Sequence, residues 1–187
     1  VNRDCLEEHI RKNYPDYPII SSTTKRMTDL QGIKEELEKD YYLVVLDYDL
    51  NHNEEVLKEL EPYAGKLEIL VNEICYPNCP MRKQHYQDES RAQLENDMVS
   101  RFNCPNKSTP RVFEECMKRP AFISNEEIGS YIERGYTNFK IVGRGLPMDF
   151  VKESYLYFLV KDEERTFIRQ QMDKFLADLA RAAQGRK

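Results

Sequence analysis

The chain has 187 residues, 40% of them hydrophobic and a third charged, with a formal net charge of -5. That length suffices for one well-buried domain, or a small domain with an appendage. The acidic balance gives no general nucleic-acid signature. No apolar run approaches the roughly 18 residues needed to span a bilayer, and no signal peptide is visible, so the expected compartment is the cytoplasm and no membrane partner is expected.

Residues 4–12 read as a helix, and Cys5 within it as a spare buried thiol. The chain opens on Val1 inside this helix-like stretch, so an upstream part is expected. Residues 17–23 are short and β-branched, as in a strand. Residues 28–39 carry Leu30, Ile33 and Leu37 at helical spacing. Residues 42–47 form a continuous apolar run, as in a strand covered on both faces. Asn53 is placed to cap a helix whose inner stripe is Val56, Leu57 and Leu60, and Pro62 and Gly65 punctuate its end. A third strand follows over residues 67–71.

The pattern then breaks. Residues 75–120 are polar, with one helix expected at about 87–101 and the rest irregular. So long an excursion inside a domain tends to be functional, and a bound metal is a natural way to order it. Regularity returns with Ser124 and Glu127, a capping-box pattern opening a short helix. A fourth strand is expected at 138–143, an amphipathic helix at 147–160 and a charged terminal helix at 162–184 with Phe167, Ile168, Met172, Phe175 and Leu176 on one side. Successive βα units imply an α/β fold with a parallel sheet and right-handed crossovers. Four strands are too few for a closed eight-stranded barrel. We therefore expect residues 1–160 to form a partial TIM-barrel-like domain interrupted at 75–120, with residues 161–187 as a C-terminal helix. Its open edges would be covered by a second copy in a homodimer or by a missing N-terminal barrel half.

Four cysteines carry the chemistry, in the spacing Cys75-x3-Cys79-x24-Cys104-x11-Cys116. Cys79 and Cys104 share the tripeptide Asn-Cys-Pro. Grouped thiols in a reducing compartment more often bind metal or do redox chemistry than form disulfides. The first pair follows an apolar strand, where parallel α/β proteins place their ligands. The x3 spacing is not the x2 knuckle of common zinc ribbons, and a proline after a cysteine is shared with the ferredoxin ending. An iron–sulfur cluster is thus the first metal expected and zinc the second, against four reduced thiols with no ligand.

His85 is a candidate fourth ligand or proton-transfer group, accompanied by Arg82 and Tyr86. His9 and His52 read as structural or exposed. Asn72 and Glu73 end a strand on the presumed ligand face, where carboxylates bind substrate or act as acid and base. Asp47 and Asp49 occupy the equivalent rim of the second strand. Lys140 and Arg144 flank the last strand, with Gly143 and Gly145 allowing close backbone approach to an anionic cofactor or substrate group.

The run from Ile69 to Tyr86, containing Asn72-Glu73-Ile74-Cys75 and Cys79-Pro80-Met81-Arg82, resembles the central stretch of the U32 peptidase-like proteins. The phrase Phe139-Lys140-Ile141-Val142-Gly143-Arg144 resembles the closing strand of the same family, and together the likeness covers roughly residues 17–160. The resemblance implies a TIM-barrel-like catalytic domain. The family was first called peptidase or collagenase-like. Several members instead hold a [4Fe–4S] cluster on four cysteines and support hydroxylation of tRNA, rRNA or ubiquinone precursors. Carried over, Cys75, Cys79, Cys104 and Cys116 are the candidate ligands. By their position in the chain Glu73, Arg82 and His85 are the catalytic candidates, and RNA or a small molecule is the kind of substrate expected. Two other readings stand beside it. One is a peptidase, although no serine or cysteine with a recognisable base is visible. The other is a non-catalytic module whose loop zinc or disulfides fix for partner binding.

Overall fold

The computed structural model describes residues 1–97, 103–104, 106, 108–143 and 145–184. Its centre is a parallel sheet of four short strands, β1 (Ile20–Ser21), β2 (Leu43–Val45), β3 (Leu67–Leu70) and β4 (Asn138–Lys140), lying side by side in chain order. The register sets Ser21 beside Val44, Val44 beside Leu67 and Ile69 beside Phe139. The ladder runs on past the assigned ends, since Leu46 N–H donates to the Glu68 carbonyl and Val71 N–H to the Lys140 carbonyl.

Among the described residues eight α-helices accompany the sheet: α1 (Asp4–Asn13), α2 (Leu30–Glu38), α3 (Glu54–Leu60), α4 (Arg82–Leu94), α5 (Phe113–Met117), α6 (Asn125–Glu133), α7 (Met148–Leu159) and α8 (Arg165–Gln184). Local chemistry fixes their starts. Asp29 caps α2 through the Gly32 N–H at 2.8 Å, and Asn53 caps α3 through the Val56 N–H at 3.1 Å. Ser124 and Glu127 close a reciprocal capping box at α6.

The two faces of the sheet differ. Residues of one parity, Val44, Leu46, Leu67, Ile69 and Val71, share a core with Ile33 and Leu37 of α2, Leu57 and Leu60 of α3 and Tyr131 of α6. Ile10 of α1 and Phe158 of α7 pack against the same core. Residues of the other parity, Ile20, Val45, Leu70 and Val142, gather only Tyr48, Cys75 and Ala121. Helices therefore cover one face, and Glu68 and Lys140 stand on the other, paired at 2.9 Å. This arrangement differs from the doubly wound pattern, in which helices pack on both faces.

Several sequence expectations change. The helix placed at 87–101 begins earlier, at Arg82, and ends at Leu94; residues 98–102 lie outside the described set. Part of the stretch read as irregular is helical, because Phe113 and Cys116 of α5 bury against Phe122 and Phe150. Cys5 is exposed rather than buried, since the moderately amphipathic α1 turns Ile10 inward and leaves Cys5 outside. The apolar side of α8 is only partly covered: Phe167 and Phe175 are exposed. Ion pairs link α8 to α7 instead, Lys152 with Asp173 at 2.6 Å and Arg169 with Glu153 at 2.7 Å. Among the described residues no helix is long and apolar enough to cross a membrane.

Candidate functional site

The carboxyl ends of the strands carry a rim of polar side chains. Arg26 follows β1, Asp47 and Asp49 follow β2, Asn72 and Glu73 follow β3, and α4 brings Arg82 back across them. Arg26 bonds both Asp47 oxygens through Nη1, at 2.8 and 2.7 Å, and Asp49 through Nη2 at 2.7 Å. Arg82 reaches Asp49 at 3.1 Å, Asp47 at 3.4 Å and the Tyr76 carbonyl at 3.0 Å. Its guanidinium lies 3.5 Å from the centre of the Tyr48 ring. The side chains of Arg82, Asp47 and Asp49 are at most 2% exposed.

Burial dominates the electrostatics of this cluster. Desolvation raises the Asp47 carboxyl despite both arginines, with Asp49 adding to the rise. Desolvation and Arg26 pull the Arg82 guanidinium down to about 10, which still leaves it charged at neutral pH. Both partners shift toward neutrality, so pairing does not fully offset the loss of water. The backbone is also strained here. Arg26 and Asn78 adopt left-handed conformations at φ 61° and 55°, and the Asn78 N–H donates to Asp49 at 2.9 Å. Non-glycine residues hold such angles only where surrounding bonds over-determine them.

The neighbouring part of the rim is built differently. The Asn72 side chain joins β3 to the chain after β4. It accepts from Val142 N–H at 2.6 Å and donates to the Val142 carbonyl at 3.0 Å and to Ser154 Oγ at 3.1 Å. The Glu73 carboxylate accepts the Cys75 N–H at 3.0 Å and makes no ion pair among the described residues. Desolvation raises its pKa, and Asp47 and Asp49 add to the rise. Burial also raises Tyr86, to about 12, with Glu73 the next cause.

Two thiols stand high for the same reason. Burial pushes Cys75 up to about 12, reinforced by Glu73, Cys79 and Cys104 and opposed by Arg111. Cys75 therefore lies within electrostatic reach of both Cys79 and Cys104. Burial likewise pushes Cys116 up to about 12, with Glu73 adding to it. The Cys116 thiol donates to the Asn72 carbonyl at 3.1 Å and sits among Phe113, Phe122 and Phe150. Cys104 Sγ accepts the Asn106 N–H at 3.4 Å.

Four thiols suit a thiophilic metal or an iron–sulfur cluster by donor type. Their arrangement does not. Among the described residues no group of three or more His, Cys, Asp or Glu side chains is set to hold a metal ion, and Cys116 is engaged with a backbone carbonyl. As these side chains stand, the group does not fit.

The remaining candidates are scattered. His85 lies on α4, 3.4 Å from Glu89 one turn on. Lys140 pairs with Glu68 below the rim. Arg144 lies outside the described residues. His52 Nε2 sits 3.0 Å from the Phe122 carbonyl, a packing role. Sequence reasoning did not single out Arg26 or Tyr48. The available signal for Arg26 was a basic residue beyond the first strand, on the same rim as Asp47; for Tyr48 there was none, because its value lies in the ring beneath Arg82.

No family model matches the chain, and no solved structure matches it. Over 121 residues it is 34% identical to a protein of Methanocaldococcus jannaschii named "Uncharacterized protease MJ1657". The match covers 62% of this chain and 35% of that protein, so the chain spans about a third of its relative's length. The relative's name is consistent with a peptidase-family label.

Proposed function

We propose that this chain is part of a U32 peptidase-like barrel protein whose Cys-rich loop binds a metal group at the rim and serves a redox or hydroxylation-type modification. The observation that carries this reading is the position of the loop. Cys75, just beyond β3 and beside Glu73, comes within electrostatic reach of both Cys79 and Cys104, at the end of a parallel sheet where such folds place their chemistry. Strands adjacent in chain order, with helices on one face only, fit a segment of a (βα) barrel whose open face would become the interior. The resemblance of residues 69–86 and 139–144 supports the family, and so does the relative's name. A [4Fe–4S] cluster is the first candidate group and zinc the second. Binding would require the Cys116 thiol to leave the Asn72 carbonyl, or another fourth ligand to replace it.

The test is anaerobic purification followed by iron, sulfide and zinc analysis, for the chain and for Cys75→Ser and Cys116→Ser. About four irons and four sulfides, lost in Cys75→Ser, supports the cluster. One zinc and no iron turns the loop into a structural element. No metal under either condition removes the reading.

A peptidase is the second reading, favoured by the name of the relative. Glu73 is then the general acid or base, because burial holds its carboxyl above the ordinary carboxylate range. Peptide cleavage abolished in Glu73→Gln supports it, and its absence from a clean preparation dismisses it.

A further inference from the structure

Among the described residues three cations are buried, and two of them are paired. Arg82 spans Asp47 and Asp49, and Lys152 holds Asp173. Arg119 is the third. It is 8% exposed, and among the described residues its guanidinium makes no hydrogen bond or ion pair. It rests instead on a ring, with the guanidinium carbon 4.1 Å from the centre of Tyr76. A cation–π contact recovers only part of what it costs to take a cation out of water.

Both members of this pair are held in place by their own turns. The Tyr76 carbonyl accepts from Arg82 at 3.0 Å, and two residues on the Asn78 N–H donates to Asp49 at 2.9 Å. The Arg119 N–H donates to the Cys116 carbonyl at 2.9 Å, and its own carbonyl accepts the Phe122 N–H at 3.0 Å. The Ala121 carbonyl accepts from the Asn51 side chain at 2.7 Å. The guanidinium is thus positioned in advance, which lowers the entropy lost when a partner arrives.

We propose that Arg119, braced on the Tyr76 ring, is a binding site for the carboxylate group of a ligand at the rim beyond β3.

The free edge of the guanidinium sets the chemistry. Nε is buried without a partner and is the only nitrogen of Arg119 so enclosed, so the two Nη groups form the accessible edge. Two N–H groups in one plane match the two oxygens of a carboxylate. The charge count favours a monoanion. Arg119 brings one positive charge, and the adjacent Lys118 is bonded to Glu115 at 2.6 Å. A phosphate dianion carries more negative charge than this edge can balance. Arg119 also lies within electrostatic reach of the Cys116 thiol, which places the site beside the candidate chemistry. Room for the rest of a ligand lies alongside. Pro77 and Pro120, the residues that follow the pair, wall a cavity of about 460 Å³ together with Tyr48, Asp49 and His52. The inference does not depend on the metal or the reaction.

The experiment follows the Arg119 Nε–H signal by NMR in the 187-residue chain at pH 7 and constant ionic strength. Acetate is added in one series and inorganic phosphate in another, and the signal is assigned by its loss in Arg119→Lys. Acetate is expected to shift the signal saturably and to bind at least about tenfold more tightly than phosphate. Followed at the Tyr76 amide, acetate affinity is expected to fall at least about tenfold in Arg119→Gln and in Arg119→Lys, which keeps the charge and loses the planar fork. Tyr76→Leu leaves Arg119 in place and is expected to weaken binding about threefold. The titrations of the unaltered chain test the proposal whether or not the variants fold. No saturable shift with acetate overturns it, and so does unchanged acetate affinity in a folded Arg119→Gln. Tighter binding of phosphate than of acetate overturns the ligand class. A shift on loading iron and sulfide, with none for acetate, makes Arg119 a counter-charge to the thiol loop and overturns the proposal.

Discussion

The two halves of the rim solve the same problem of buried polarity in opposite ways. Beyond β1 and β2 every charge has a counter-charge: Arg26 and Arg82 between them span Asp47 and Asp49. Beyond β3 the ionisable groups, Glu73, Cys75, Cys116 and Tyr86, all shift toward their neutral forms because burial outweighs the cations near them. The first half is a locked frame that holds α4 against the sheet. The second is a desolvated cluster whose acids are all raised above their ordinary values.

Four measurements break or sharpen this contrast. Arg82→Leu is expected to cost about 3–5 kcal/mol in urea unfolding, because two buried carboxylates are left with one partner. A cost below about 1 kcal/mol would show that Arg26 alone suffices. Asn72→Ala is expected to cost about 3 kcal/mol, since it removes three hydrogen bonds and leaves the Val142 N–H unsatisfied.

The thiols give the third test. In the metal-free folded chain, alkylation of Cys75 and Cys116 by iodoacetamide at pH 8 is expected to run at least about a hundredfold slower than for a free cysteine, because so little thiolate is present. Peptide mapping by mass spectrometry reads the rates, and rates equal to those of free cysteine would mean an open pocket. The sign follows for stability. Both pKa values are raised, from 9.0 to about 12, so the folded chain holds these protons more tightly than the unfolded one. Their contribution is complete below pH 9 and is lost as pH climbs toward 12.

The smallest effect separates the halves most directly. Glu73→Gln keeps an acceptor for the Cys75 N–H and removes a penalised charge, so stability at pH 7 is expected to rise by about 1 kcal/mol. Because the folded-state pKa of Glu73 is raised, the wild type is expected to lose stability as pH rises above the ordinary carboxylate value, and the variant to lack that loss. Neutralising Arg26 by Arg26→Gln is expected to destabilise, because despite desolvation Asp49 and Asp47 raise its pKa and so favour its charge in the folded chain. If both substitutions move stability in one direction, the contrast fails.

Much of this was legible in the chain itself. Periodicities of about two and 3.6 residues located all four strands and most helices, and Asn53, Ser124 and Glu127 marked helix starts, because capping is a local interaction between near neighbours. Placing Cys75, Glu73, Asp47 and Asp49 on one rim also followed from sequence, since strand ends in a parallel sheet point one way. What only the tertiary structure decided were relations between distant segments. Arg26 and Arg82, 56 positions apart in the numbering, converge on the same two aspartates. Tyr48 gains its place as the surface beneath a guanidinium, and Cys116 is turned into a phenylalanine-lined core. Burial made these choices, and burial depends on what the rest of the chain brings alongside, which no local spacing records.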